Sequence, residues 1–150
     1  TLTSILFKKK LAFENLTVLD TFCGTGALGI EAISRGAKKA FFIDCSTDAL
    51  DLVKRNINFL EIDIYSKFLN CELPELNFKN LNANLFFMDP PYDFDNYNEV
   101  FSSLAKNNLI AHDALAVIEL SKKKSFKINN FSLIKKKIIS NSCFLFLEKT

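Results

Sequence analysis

The sequence holds no tryptophan, one histidine, three prolines and four glycines, so each of these types marks a place. No apolar run approaches the roughly 18 residues that span a membrane. No signal-peptide pattern stands at the start. The four cysteines, Cys23, Cys45, Cys71 and Cys143, lie far apart and form no C-x-x-C pair. With His112 as the one histidine, no metal site is expected. Such thiols suit a reduced, cytoplasmic setting. An excess of one charge is missing too: the net charge is +2, which by itself argues for no nucleic acid. Lysine runs at 8–10, 122–124 and 135–137 read as solvated surface. They become candidates for phosphate contact where they flank a site. Repeats and linkers are absent, and 150 residues suit one domain over 1–150.

What is present alternates between strand and helix patterns. A helix is expected over 4–13, packed on the sheet edge. The short apolar run 16–21 reads as a first strand, and helical spacing begins at Ala27 and stops near Gly36. A second strand is expected at 40–43. Ser46 can cap a helix whose apolar face is Leu50, Val53, Ile57 and Leu60. Further strands are expected at 62–69, 85–88 and 115–120, with a loop or short helix over 74–84. Tyr97, Val100, Phe101 and Leu104 share a helix face. The segments 131–139 and 143–147 suit a closing hairpin. Alternation implies an α/β, Rossmann-like, doubly wound, mostly parallel sheet, and the short last connection makes the final strand antiparallel.

Two stretches carry chemistry. The first is Asp20-Thr21-Phe22-Cys23-Gly24-Thr25-Gly26-Ala27-Leu28-Gly29, between strand and helix. Gly24-x-Gly26-x-x-Gly29 matches the dinucleotide fingerprint, whose glycines permit a tight turn and close backbone approach. Asp44 lies 20 positions after Gly24 (44 − 24), where a carboxylate accepts both hydroxyls of a ribose. The fingerprint alone does not choose between a nicotinamide dinucleotide and S-adenosylmethionine. Asp20 favours the second: a carboxylate there repels a phosphate and attracts an ammonium group. Asn70-Cys71, after the third strand, could approach an adenine.

The second stretch is Asp89-Pro90-Pro91-Tyr92, after the apolar run Leu85-Phe86-Phe87-Met88. Neither proline can donate to a sheet ladder, so the tetrad belongs at a strand's carboxyl end, where open α/β sheets bind ligands. An exocyclic amino group is a poor nucleophile because its lone pair is delocalised into the ring. Asp89 and the Pro90 carbonyl could each accept one amino hydrogen and localise that pair as the transition state forms. Tyr92 could stack on the base and orient it. A paired base could not reach such a pocket, so flipping or an unpaired site is implied.

Val18-Leu19-Asp20-x-Phe22-x-Gly24-x-Gly26-Ala27-Leu28-Gly29-Ile30-Glu31-Ala32-x-Ser34-Arg35-Gly36-Ala37, followed by the tetrad, resembles the bacterial 16S rRNA (guanine(966)-N(2))-methyltransferase family. The resemblance runs from about Ser4 to Lys149. It implies a class I methyltransferase fold, S-adenosylmethionine as cofactor and ribosomal RNA or the small ribosomal subunit as partner. It implies cofactor contacts from Asp20, Phe22, Cys23, Gly24, Thr25, Gly26, Asp44, Cys45, Asn70 and Cys71, and catalysis at Asp89, Pro90, Pro91 and Tyr92. Family members usually begin with a longer basic segment, and this chain starts about where that segment ends. Asn70 stands where relatives commonly carry an acid, and the usual Tyr-Gly near the last hairpin is replaced around Ile139-Ser140. A monomer is the default expectation. The alternatives are an adenine-N6 or protein-glutamine methyltransferase, a nicotinamide-dependent oxidoreductase, and a non-catalytic RNA-binding relic.

Overall fold

The computed structural model describes residues 1–61, 65–124 and 127–150. Its strands form one seven-stranded sheet: β1 Thr17–Thr21, β2 Lys39–Asp44, β3 Tyr65–Asn70, β4 Ala83–Met88, β5 Ile110–Ser121, β6 Phe131–Ile139 and β7 Ser142–Lys149. The helices are α1 Leu2–Lys8, α2 Ala27–Ser34, α3 Thr47–Phe59 and α4 Tyr97–Lys106. The strand order is β3-β2-β1-β4-β5-β7-β6. The first five strands in this order run parallel, and β7 is antiparallel to both its neighbours. The expected doubly wound sheet with an antiparallel final strand is thus observed. The last strand in sequence is inserted between β5 and β6.

Strand alternation sorts the sheet's residues onto two faces. Val18, Leu85, Phe87, Leu115 and Val117 meet Ile5, Leu6 and Ala32 of α1 and α2. On the same face, Ala40 and Phe42 pack against Ile33 of α2 and Leu50, Val53 and Ile57 of α3. The opposite face gathers Leu19, Phe41, Ile43, Phe86 and Met88 into one cluster with Tyr97, Val100, Phe101 and Leu104 of α4 and Leu73 of the β3–β4 loop. The helix faces read from spacing therefore pack as expected. The exception is Leu60, which lies beyond α3 and is exposed.

Local chemistry sets the helix ends. The Ser46 side chain accepts from the Ala49 N–H, capping α3 as expected. At the end of α2, Gly36 takes φ +104°, and the Ala37 N–H returns to the Ala32 carbonyl.

Several expectations change. The first helix ends at Lys8 rather than 13, because the three lysines offer no apolar face and Lys10 adopts φ +55°. That turn brings the Leu11 N–H back to the Leu6 carbonyl. This helix lies on a sheet face over β4, β5 and β7, not at an edge. The fifth strand begins at Ile110, earlier than 115, and passes a register irregularity opposite Ala83 and Leu85. The third strand is observed over Tyr65–Asn70, while the expected start at 62–64 lies outside the described residues. Of the loop or short helix expected over 74–84, the structure shows a loop over 71–82, and 83–84 open β4.

Candidate active site

In the strand order, β1 lies between β2 and β4, so the connections from its carboxyl end and from that of β4 emerge side by side. Thr21 is in register with Met88, which places Phe22 and Asp89 at the next step of each chain. The Thr21 hydroxyl donates to the Phe87 carbonyl at 2.7 Å and locks this junction. Here the strand order reverses direction, the place where doubly wound sheets bind ligands.

The turn after β1 is tied down on every side. Phe22, Gly24 and Gly26 have positive φ, at 55°, 53° and 78°. The Cys23 N–H donates to the Ile43 carbonyl, and the Gly26 N–H donates to the Cys23 carbonyl. The Asn56 amide of α3 donates to the Thr25 carbonyl at 3.1 Å. A Cβ on Gly29 would stand 2.5 Å from the Phe42 ring and 3.0 Å from an Asp20 oxygen. The third glycine is there because α2 and the sheet leave no room for anything larger.

Asp20 shares the α2 face of β1, as alternation requires, and is 2% exposed. One of its oxygens accepts the Gly29 N–H at 2.9 Å. Burial pushes its carboxyl from 3.8 to about 8, opposed by that hydrogen bond and helped by the nearby Asp89 and Asp44. Asp44, at the end of β2, accepts the Gly24 N–H at 3.0 Å and the Ser46 N–H at 2.9 Å. Cys23 is buried, and burial, then Asp20 and Asp44, hold its thiol well above the ordinary range. Cys45 is exposed.

Asn70 closes this side. Its amide donates to the carbonyls of Asp44 and Cys45 at 3.2 and 3.0 Å, joining the ends of β3 and β2. The Cys71 N–H also donates to the Asp44 carbonyl. The Cys71 thiol donates to the Glu75 carbonyl, and burial, then Glu75 and Glu72, raise its pKa. Cys71, Leu73, Pro74, Leu76 and Asn96 line a cavity of about 590 Å³ between the β3–β4 loop and the approach to α4.

The tetrad sits across the junction. Pro90 is buried, while Asp89 and Pro91 reach the surface and Tyr92 is 69% exposed. Protein crowding on one side, then the Glu119 carboxylate, pushes the Asp89 carboxyl up to about 6. Beyond Tyr92 the Phe94 ring stands edge-on to Phe22, with centroids 5.0 Å apart, and to Tyr97 at 5.2 Å. Lys124, after β5, donates to the Phe94 carbonyl and to an Asp95 oxygen, and its ammonium lies 5.8 Å from the Tyr97 ring centre. Burial, Asp95 and Asp89 raise the Tyr97 hydroxyl to about 12.

The structure therefore brings the predicted residues to the carboxyl ends of neighbouring strands: Asp20 to Gly26, Asp44 with Cys45, Asn70 with Cys71, and Asp89 to Tyr92. Sequence reasoning missed Phe94, Tyr97, Glu119 and Lys124 as parts of the site. Phe94 had a usable signal in its place just after the tetrad. Lys124 had none, since it stands in a lysine run and its partner lies 29 residues away.

Three carboxylates, a glycine turn and an open aromatic at a switch point, on this strand order, define a Rossmann-like methyltransferase fold. Residues 3–148 match the family model described as conserved hypothetical protein 95, and the chain belongs to that family. A ribosomal RNA small subunit methyltransferase D of Buchnera aphidicola is 32% identical over 91% of this chain and 73% of its own length. A crystal structure of a proposed methylase from Haemophilus influenzae superimposes with a TM-score of 0.81 at 26% identity, covering 99% of this chain and 94% of that one. The magnesium protoporphyrin IX methyltransferase of Synechocystis with bound SAM shares the fold, with a TM-score of 0.74 at 17% identity, over 99% and 76% of the two chains.

Proposed function

We propose that the protein transfers a methyl group from S-adenosylmethionine to the exocyclic N2 amino group of a guanine in small-subunit ribosomal RNA. The observation that carries this reading is the placement of Asp89 and Pro90 beside the turn that holds Asp20 and Asp44. Three carboxyl groups around one junction, two of them able to ionise without a cation beside them, favour a cationic cofactor and disfavour the pyrophosphate of a dinucleotide. The name of the relatives supports the substrate class.

When bound, S-adenosylmethionine supplies an electrophilic methyl group on a sulfonium. The chain's own residues do the rest. Asp44 supplies negative charge toward the cofactor's ribose, and Asp20, protonated in the free protein, ionises when the cofactor's ammonium lies beside it. Asn70 and Cys71 fix the wall beside the adenine. Asp89 and the Pro90 carbonyl accept the two amino hydrogens and direct the nitrogen lone pair at the methyl carbon. The N–C bond would form as the C–S bond breaks, leaving the donor as a neutral thioether, and Asp89, which reaches the surface, would take the surplus amino proton and pass it to solvent. Tyr92, exposed and apolar-faced, stacks on the base.

The test is methylation of small-subunit RNA with labelled donor, followed by nucleoside analysis. N2-methylguanosine is the expected product. Asp89→Ala is expected to cut transfer at least 100-fold, a magnitude on the order of losing one aimed polar group, and to leave S-adenosylhomocysteine binding intact. Label found on adenine N6 or on protein glutamine would replace the substrate assignment. Full turnover by Asp89→Ala would overturn the mechanism.

A further inference from the structure

The carboxyl end of β5 carries three consecutive lysines, and they do different work. Lys124 is half-buried and turned onto the loop after the tetrad, where Asp95 and the Phe94 carbonyl take its ammonium. Lys122 and Lys123 are exposed. With Tyr92, Ser121 and Asn141 they line a separate cavity of about 360 Å³. The cavity is framed by backbone. The Lys122 N–H donates to the Asn141 carbonyl at 3.0 Å, joining it to the β6–β7 turn, and the Lys124 N–H donates to the Ser121 carbonyl. No carboxylate is among the described residues that line it.

Resting on the proposed RNA substrate, we infer that this cavity binds the phosphodiester next to the target nucleotide. Two ammonium groups, a hydroxyl and an amide are the donor set that holds a phosphate, and lysine does so as a point charge. The shared residue is what gives the cavity this meaning. Tyr92 is one wall of it and is also the stacking surface for the base, three residues from Asp89. A base seated on Tyr92 carries its own phosphates past the other side of that ring. An unpaired nucleotide loses the rigidity of its helix, and anchoring its backbone restores part of the lost orientation. The other basic runs lack this geometry: Lys9 pairs with Glu148, and residues 135–137 lie on β6, at the far edge of the sheet.

The experiment is fluorescence anisotropy of a fluorescein-labelled, guanine-containing single-stranded RNA with the full chain over a range of potassium chloride. Lys122→Gln/Lys123→Gln is compared with the parent, and Lys136→Gln/Lys137→Gln serves as a control of equal charge. Loss of the cavity lysines is expected to weaken RNA binding about tenfold and to reduce the salt slope by about 0.7 for each lost contact. The control pair is expected to change neither, and Lys122→Arg/Lys123→Arg to restore binding. Equal affinity and slope in parent and Lys122→Gln/Lys123→Gln, including no RNA binding by either, overturns the assignment. So does an equal loss in the control, which would reduce the effect to net charge. Failure of the methyltransferase reading would appear elsewhere, as loss of S-adenosylhomocysteine binding by the parent in calorimetry.

Discussion

At the carboxyl ends of β1 and β2 the polar atoms are already engaged by the chain; at the carboxyl end of β4 they face outward. Asp20 holds the Gly29 N–H, Asp44 holds two N–H groups, and Asn70 holds two carbonyls. Asp89 and Tyr92 reach the surface, and the ties on their loop are the Phe94 N–H on the Pro91 carbonyl and Lys124 on Phe94 and Asp95. The difference follows from what each side receives. A small cofactor brings few groups of its own and benefits from a rigid mould. A nucleotide on a large RNA brings its own orientation problem, and an open face lets it enter. The same contrast appears in backbone strain. Positive φ at the non-glycine Phe22 persists because the ring is held against Phe94, so the strained turn leans on the acceptor loop.

The largest expected effect tests the open side. Asp89 accepts amino hydrogens as a carboxylate, and its pKa is about 6. Transfer is expected to fall about tenfold per pH unit below that value, with the rate level above it. A rate profile that stays flat to about pH 5 would remove this carboxylate from the chemistry.

The closed side predicts a conflict between stability and binding. Asp20 has a folded pKa of about 8 against an ordinary 3.8. A raised carboxyl holds its proton more tightly when folded, so its stabilising contribution is complete below the lower value and is lost as pH rises through the upper one. Asp20→Asn keeps an oxygen for the Gly29 N–H and buries no charge. Near the upper pKa it is expected to melt higher than the parent, at about 2–4 °C for each kcal/mol gained. Binding of S-adenosylhomocysteine is expected to weaken about tenfold, through loss of a charge-assisted interaction. Differential scanning calorimetry and isothermal titration read the two effects. A variant no more stable than its parent at alkaline pH would show that burying Asp20 costs little.

The smallest effect probes the link between the two sides. Lys124→Met keeps the apolar stem over Tyr97 and removes the ammonium from Asp95. The pair is partly exposed and worth under about 1 kcal/mol, so the melting temperature is expected to move little. Steady-state kinetics should show a kcat about three- to tenfold lower, with cofactor affinity unchanged, because the acceptor loop is less well placed. A fall in cofactor affinity instead would mean that Phe94 transmits the disturbance to the turn through Phe22.

Much of this was legible in the chain. Asp20 to Gly29 and Asp89 to Tyr92 announce themselves because scarce glycines and prolines fall where backbone is forced into turns, and strands that are buried on both faces read as apolar runs. Ser46 and Gly36 mark helix ends for local reasons that any neighbour-by-neighbour reading finds. The alternation of strands and helices, and the antiparallel close, follow from connection lengths.

Other features were decided only by tertiary structure. That Asp20 is buried and protonated near neutrality depends on α2 lying over it. The separation of Lys124 from Lys122 and Lys123 depends on where the loop after Tyr92 comes to rest. The place of α1 on a face rather than an edge depends on which strands remained uncovered. Local sequence sets the conformations open to a segment; long-range packing sets its electrostatic surroundings. The same carboxylate or ammonium is a solvated charge in one place and a working part in another, and the strand order of the sheet makes that choice.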